Sequence, residues 1–159
     1  MNEPDNHIQH IEYYAKRHCS PQWRLFLELV FDELSNNAGK EESSGFWHHI
    51  GSRIAAEKPI GECATLERLE QAVNDELGLL DWGQASIVAE NKAMHICHTA
   101  FPVPGSSPER LDTSLLAMSA LLEGVFKGWL QQQGGDFDVP IRCISRNLEQ
   151  RECTFLYGR

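Results

Sequence analysis

No run of apolar residues in the chain reaches the ~18 needed to span a bilayer as a helix. Basic residues are also short: 14 Lys and Arg stand against 23 Asp and Glu, a formal net charge of −9. Binding to phosphates needs clustered cations, so this balance argues against nucleic acid and against an anionic membrane surface as partners. A neutral ligand or a protein partner stays open. The sequence has no basic stretch followed by an apolar one at its start, "MNEPDNHIQHIEYYAKRHCS", and without such a leader the expected location is the cytoplasm. Its five cysteines are an odd number, which fits reduced thiols better than a disulfide framework. There is no G-x-S-x-G elbow, P-loop or G-x-G-x-x-G run.

What is present is an ordinary globular composition, 42% hydrophobic and 23% charged over 159 residues, enough for one sizeable core. Residues 1–20 read as a polar N-terminal arm and 21–159 as a single domain. Ser20-Pro21 supplies a helix N-cap and first-turn proline. In "PQWRLFLELVFDELSNNAG", Trp23, Phe26, Leu27, Val30 and Leu34 recur at helical spacing, while Leu25, Leu29 and Phe31 lie off that stripe. A monomer's surface helix needs one apolar face, so the second suggests a subunit interface or a helix sunk in the core.

"NNAGKEESSG" reads as a loop, "FWHHIGSRIAAE" as a second helix, and Thr65 as the cap of a third that carries Leu66, Leu69, Val73 and Leu77. Period-two alternation follows in "DWGQASIVAEN" and "KAMHICHTAF", around a turn at Glu90-Asn91-Lys92. "PVPGSSPER" reads as a loop, and a long helix runs from about Asp112 to Gln133, closed by Gly134-Gly135. The last segments, "DVPIRCISRN" and "QRECTFLYG", form a hairpin. A turn centred on Leu148 pairs Cys143 with Cys153, Ile141 with Phe155 and Val139 with Tyr157, all apolar. The fold class is therefore α+β: N-terminal helices, then an antiparallel sheet of about four strands in two hairpins, with a long helix between them.

Candidate chemistry is sparse. In His95-x-Cys97-His98, strand alternation puts His95 and Cys97 on one face and His98 on the other, too few ligands for a structural zinc. Adjacent His48 and His49 diverge by ~100° on a helix and do not form a chelating pair. Cys143 and Cys153 read as two small core hydrophobes, with a dithiol or ligand pair across the hairpin as the alternative. No catalytic group, metal site or cofactor is indicated. Near the N-terminus Tyr13, Tyr14, Lys16, Arg17, His18, Gln22 and Trp23 combine flat rings with hydrogen-bonding groups. Such a set reads first as the docking of the arm onto the first helix, with a sugar chain as the alternative it suits.

Gly124 and Gly128 sit one turn apart inside the long helix, each costing roughly 1 kcal/mol relative to alanine. Such a pair lets another backbone approach closely, either the sheet or a neighbouring helix. The surrounding residues carry a resemblance. Asp81-Trp82-Gly83, the "AENKAM" run at 89–94, His98, Pro102, Leu122-Glu123-Gly124 and Gly128-Trp129 occur in an order that resembles the bacterial cellulose synthase D-subunit family. "WRLFLELVFDELSNNAG" is similar to that family's first helix. The resemblance implies a non-catalytic accessory subunit, a homo-oligomeric ring that is an octamer built from dimers. It would guide nascent β-1,4-glucan for extrusion and crystallisation beside the inner-membrane synthase complex and other cellulose-operon proteins. By position it implies glucan contacts at Tyr13, Tyr14, Lys16, Arg17, Gln22 and Trp23, and packing or assembly roles for Gly124, Gly128, Trp129 and Trp82. The segment "LLEGVFKGWL" with the two cysteine-bearing strands also resembles vinyl-reductase-type small-molecule domains and their trafficking-protein relatives. That second likeness implies the same fold, with a regulatory pocket between the glycine-bearing helix and the sheet.

Overall fold

The computed structural model describes residues 13–14 and 17–158. Two long helices lie against each other, and one of them lies against a four-stranded sheet. In chain order the elements are α1 (Pro21–Glu57), α2 (Leu66–Leu79), β1 (Gln84–Glu90), β2 (Ala93–Thr99), α3 (Pro108–Gln132), β3 (Ile141–Asn147) and β4 (Glu152–Tyr157). The sheet is antiparallel with strand order β1-β2-β4-β3. This is the α+β architecture expected from the sequence, with the long helix between the two hairpins.

The loop expected over "NNAGKEESSG" shrinks to one residue. Helix continues on both sides of Gly39, whose φ of 77° lies in the left-handed region and breaks α1 there. In the first half Phe31 is buried and packs edge-on against Trp47 of the second half, centroids 4.7 Å apart. That pairing sets the rotation of the helix. Trp23 and Phe26, although on the apolar stripe with Leu27, Val30 and Leu34, consequently face out together with Leu25 and Leu29.

Helix α3 begins four residues earlier than its periodicity indicated. Ser107 accepts from the Arg110 amide and Pro108 opens the first turn; Ser20-Pro21 shares the first-turn proline, but the Ser20 side chain makes no cap hydrogen bond. Its middle, from Ser114 to Leu122, is buried almost all round, with Leu116 the exposed position. Phe126 packs on Phe155 of β4 and on His98 of β2, at 5.2 and 5.5 Å, which fills the space between α3 and the sheet.

The first hairpin turns on Asn91 and Lys92, both at positive φ (48° and 67°), the requirement of a two-residue I′ turn. The second hairpin departs from the expected register. Cys143 pairs with Phe155 and Ile141 with Tyr157, not with Cys153 and Phe155. The connection is four residues, closed by the Asn147 side chain accepting from the Gln150 amide. A bulge at Ile144 then shifts the pairing, so that Arg146 pairs with Cys153.

Edge strand β1 is closed by α2. The Asn74 amide bonds both the N–H and the C=O of Ala85 at 2.8 Å, and the Glu70 carboxylate accepts from the Ile87 N–H at 2.7 Å. Open edges invite pairing with other chains, and this cap occupies two of the outward-facing donors. Asn74→Ala is expected to cost about 2 kcal/mol and lower Tm by roughly 4–8 °C in thermal unfolding. Glu70→Gln, which keeps an accepting oxygen, should be close to neutral.

Candidate functional site

Three places carry the residues singled out from the sequence: the aromatic N-terminal region, the seam between α1 and α3, and the turn that holds His98.

At the N-terminal region Tyr13 and Tyr14 meet edge-to-face at 5.5 Å, and the Arg17 guanidinium lies 4.8 Å from the centre of the Tyr13 ring. Trp23 pairs edge-to-face with Phe26 at 5.9 Å. The rings are more than half exposed: Tyr13 53%, Tyr14 62%, Trp23 59% and Phe26 55%. Gln22 is exposed beside Trp23, and Lys16 lies outside the described residues. The structure thus brings Tyr13, Tyr14 and Arg17 into one cluster and gives Trp23 a partner, Phe26, that was not among the expected glucan contacts. Leu25 and Leu29, also exposed, extend the apolar surface along α1.

The seam runs along a row of small residues with Trp47 at one end. On α1 Trp47, Gly51 and Ala55 recur every fourth position, and on α3 so do Ala120, Gly124 and Gly128. A Cβ on Gly124 would sit 2.0 Å from the His48 carbonyl oxygen, and one on Gly51 would sit 1.8 Å from that of Leu121. On Gly128 it would meet the Ala55 methyl at 2.5 Å. Gly124 and Gly128 therefore face α1 of the same chain. Gly51 completes the stripe; the sequence reading passed over it, although a glycine inside a helix was again the signal. At the far end the buried Trp129 donates from Nε1 to the Lys58 carbonyl at 2.8 Å. Gln132 and Gln133 then bond backbone groups of Ala55, Ile60, Gly61 and Cys63, which pins the chain as it leaves α1.

Toward Gly39 the same two helices enclose a cavity of about 200 Å³, floored by Phe31, Trp47, Ala117 and Ala120 and rimmed by Lys40 and Arg146. Elsewhere along α1, the buried Glu28 takes hydrogen bonds from Ser106 and Arg110 and ties α1 to the start of α3. Burial pushes its carboxyl up, but these bonds outweigh it and hold the group below the usual carboxylate range.

Asp81-Trp82-Gly83 forms a tight turn with Asp81 and Gly83 at positive φ (56° and 81°), and a Cβ on Gly83 would lie 2.0 Å from the Thr99 carbonyl oxygen. The turn presents the Trp82 carbonyl to His98 Nε2 at 2.7 Å. His98 is fully buried between Phe101 and Phe126. Burial lowers its pKa to about 4 against the opposing bond to Trp82, so the ring is neutral at physiological pH. Half-buried Trp82 itself packs on the core. Among the described residues no three His, Cys, Asp or Glu side chains come together as metal ligands. No described helix is long and apolar enough to cross a membrane.

Comparisons with known proteins bear on this arrangement as a whole. A family model described as the cellulose synthase D subunit matches residues 9–158. The chain is 30% identical over 136 residues to a cellulose synthase operon protein D of Komagataeibacter xylinus, covering 84% of each. A cellulose synthase operon protein D of Komagataeibacter sucrofermentans matches with the same identity and coverage. Among solved structures, the trafficking protein particle complex subunit 3 of Naegleria fowleri, covalently bound to palmitic acid, shares the fold with a TM-score of 0.51 at 13% identity. The match covers 98% of this chain and 96% of that one. The chain belongs to the cellulose synthase D-subunit family.

Proposed function

We propose that this protein is a non-catalytic accessory subunit of bacterial cellulose synthesis, a ring-shaped octamer built from dimers that guides nascent β-1,4-glucan chains toward the fibre. Family membership supports association with the synthase, and the ring and the guiding role are the further step. The observation that carries this step is the outward face of the first half of α1. Trp23, Leu25, Phe26 and Leu29 are 42–59% exposed there, and the Tyr13, Tyr14 and Arg17 cluster precedes them in the chain. Apolar side chains presented side by side along a helix gain by being covered, at roughly 25 cal/mol per Å². The exposed Tyr13 and Tyr14 rings offer flat faces and hydroxyls, the chemistry a neutral glucan needs from a chain of net charge −9. In this reading the subunit sits on the cytoplasmic side, docked at the synthase.

The test separates binding from assembly. Cellohexaose titrated against the assembled protein should quench tryptophan fluorescence, and Tyr13→Ala with Tyr14→Ala should weaken binding about tenfold or more, in line with stacking worth ~1–2 kcal/mol per ring. The double variant should keep the native mass. Full affinity in that variant would contradict the glucan role of this cluster.

A further inference from the structure

The β3 bulge has a chemical consequence. Before it, Cys143 faces the helices. The extra residue, Ile144, restores the same facing at Arg146, which pairs with Cys153 and donates from Nε to Ser119 of α3 at 2.8 Å. One face of the β3–β4 ladder therefore carries Cys143, Arg146 and Cys153 together. Cys153 lies diagonally across the ladder from Cys143, near enough to perturb its thiol, and Cys143 Sγ donates to the Ser145 carbonyl at 3.2 Å. Cys143 is half-buried and reachable from solvent, whereas Cys153 is fully buried. A reachable thiol with a second thiol against it and a guanidinium alongside is the arrangement of an attacking and a resolving cysteine.

We infer that Cys143 and Cys153 form a reversible disulfide on exposure to peroxide, with Cys143 as the attacking sulfur and Cys153 as the resolving one. The Cys143 thiolate attacks one peroxide oxygen; an S–O bond forms, the O–O bond breaks, and hydroxide leaves to be protonated to water. The Cys153 sulfur then attacks the Cys143 sulfur of the sulfenic acid. The S–S bond forms, the S–O bond breaks, and the departing hydroxide takes the Cys153 proton as a second water. The two thiols lose two electrons, the peroxide gains two, and a dithiol reductant reverses the change. The surroundings favour this order. The neighbouring Cys153 thiol holds the Cys143 thiol below its ordinary range against burial, and Arg146 adds to it while Glu123 opposes. The Cys153 thiol is pushed up by the Cys143 thiol beside it and by burial.

The experiment treats the folded full-length chain with hydrogen peroxide at a few equivalents, blocks the remaining thiols and maps the peptides by mass spectrometry. The expected product is a Cys143–Cys153 crosslink with the other three of the five cysteines still blockable, reversed by dithiothreitol. Cys143→Ser should abolish it. Cys153→Ala should instead trap a sulfenic acid at Cys143 that dimedone captures. Arg146→Gln, which leaves both thiols in place, should slow crosslinking about tenfold. Oxidation at Cys19, Cys63 or Cys97 with Cys143 and Cys153 untouched would overturn the inference. So would a sulfinic acid at Cys143 without a crosslink, or an unchanged rate in Arg146→Gln.

Discussion

Gly124→Ala is expected to destabilise the protein by about 2 kcal/mol, whereas Gly45→Ala should stabilise it by roughly 0.5–1 kcal/mol. Both glycines lie in helices, so alanine brings the same gain of about 1 kcal/mol in intrinsic propensity at each. They differ in what the methyl meets. At Gly45 nothing lies within 4 Å. At Gly124 the methyl would arrive 2.0 Å from the backbone oxygen of His48, which cannot swing aside as a side chain can. Relief requires α1 and α3 to separate along the row where Trp47, Gly51 and Ala55 oppose Ala120, Gly124 and Gly128, loosening contacts over several turns. Overpacking of this kind costs up to ~3 kcal/mol or more, which exceeds the propensity gain. The contact distances order the series as Gly51 and Gly124 worst, then Gly128, with Gly45 favourable. Urea denaturation of the four alanine variants measures it, and a Gly124→Ala protein as stable as the parent would refute the seam as described.

The second large effect is a loss of stability on mild acidification that originates at His98. Its folded pKa of about 4 lies below the ordinary value of 6.5, so the unfolded chain takes up the proton first as pH falls. The stabilisation is complete above pH 6.5, declines between 6.5 and 4 by up to about 1.4 kcal/mol per pH unit, and is lost below 4. Over the whole window that is about 3 kcal/mol. His48, whose pKa burial also lowers, acts with the same sign and adds to the decline. Glu28 contributes in the same direction only below its ordinary value near 4.5, so the interval from pH 6.5 to 5 reports the histidines. The check is denaturant unfolding at half-unit steps through that interval, for the parent and for His98→Leu. The variant should be weaker at pH 7, since Trp82 loses its partner, and its stability should depend much less on pH. Equal slopes in the two proteins would show that His98 does not titrate as its burial requires.

Local signals in the sequence carried most of the architecture. Thr65 caps α2 because its hydroxyl accepts from the Arg68 amide three residues on, a purely local bond. Asn91-Lys92 makes its turn for equally local reasons. Where the reading slipped, the deciding interaction was local but ambiguous, or distant. Ser107-Pro108 is the same helix-starting pair as Ser20-Pro21, but prolines and glycine ahead of it make the stretch look like loop. Serines, asparagines and glycines over 36–45 weaken a helix without ending it, and only Gly39 actually breaks the path. The second hairpin was misaligned by a four-residue turn and a one-residue bulge, neither of which alternation reveals. Its face assignment of Ile141, Cys143, Cys153 and Phe155 survived, because the slip ahead of the bulge is by two residues.

The site was less legible for a physical reason. Asn74 and Glu70 act on β1 from another element, and nothing in a polar residue on a helix says which strand edge it will close. Trp23 and Phe26 fit an apolar stripe as well as Phe31 does. Only the packing of Phe31 on Trp47 decides which of them is buried within the chain and which is left exposed.

That outward face is the hinge of the functional account, and native mass tests it most directly. Light scattering on a sizing column should give eight copies of the 18.0 kDa chain, about 144 kDa, for the parent protein. Phe26→Glu with Leu29→Glu, which places charge on an exposed surface and leaves the core residues alone, should fall to a smaller species with its helix content retained. A parent protein that elutes as a monomer, or a double variant that keeps the parent's mass, would contradict the ring.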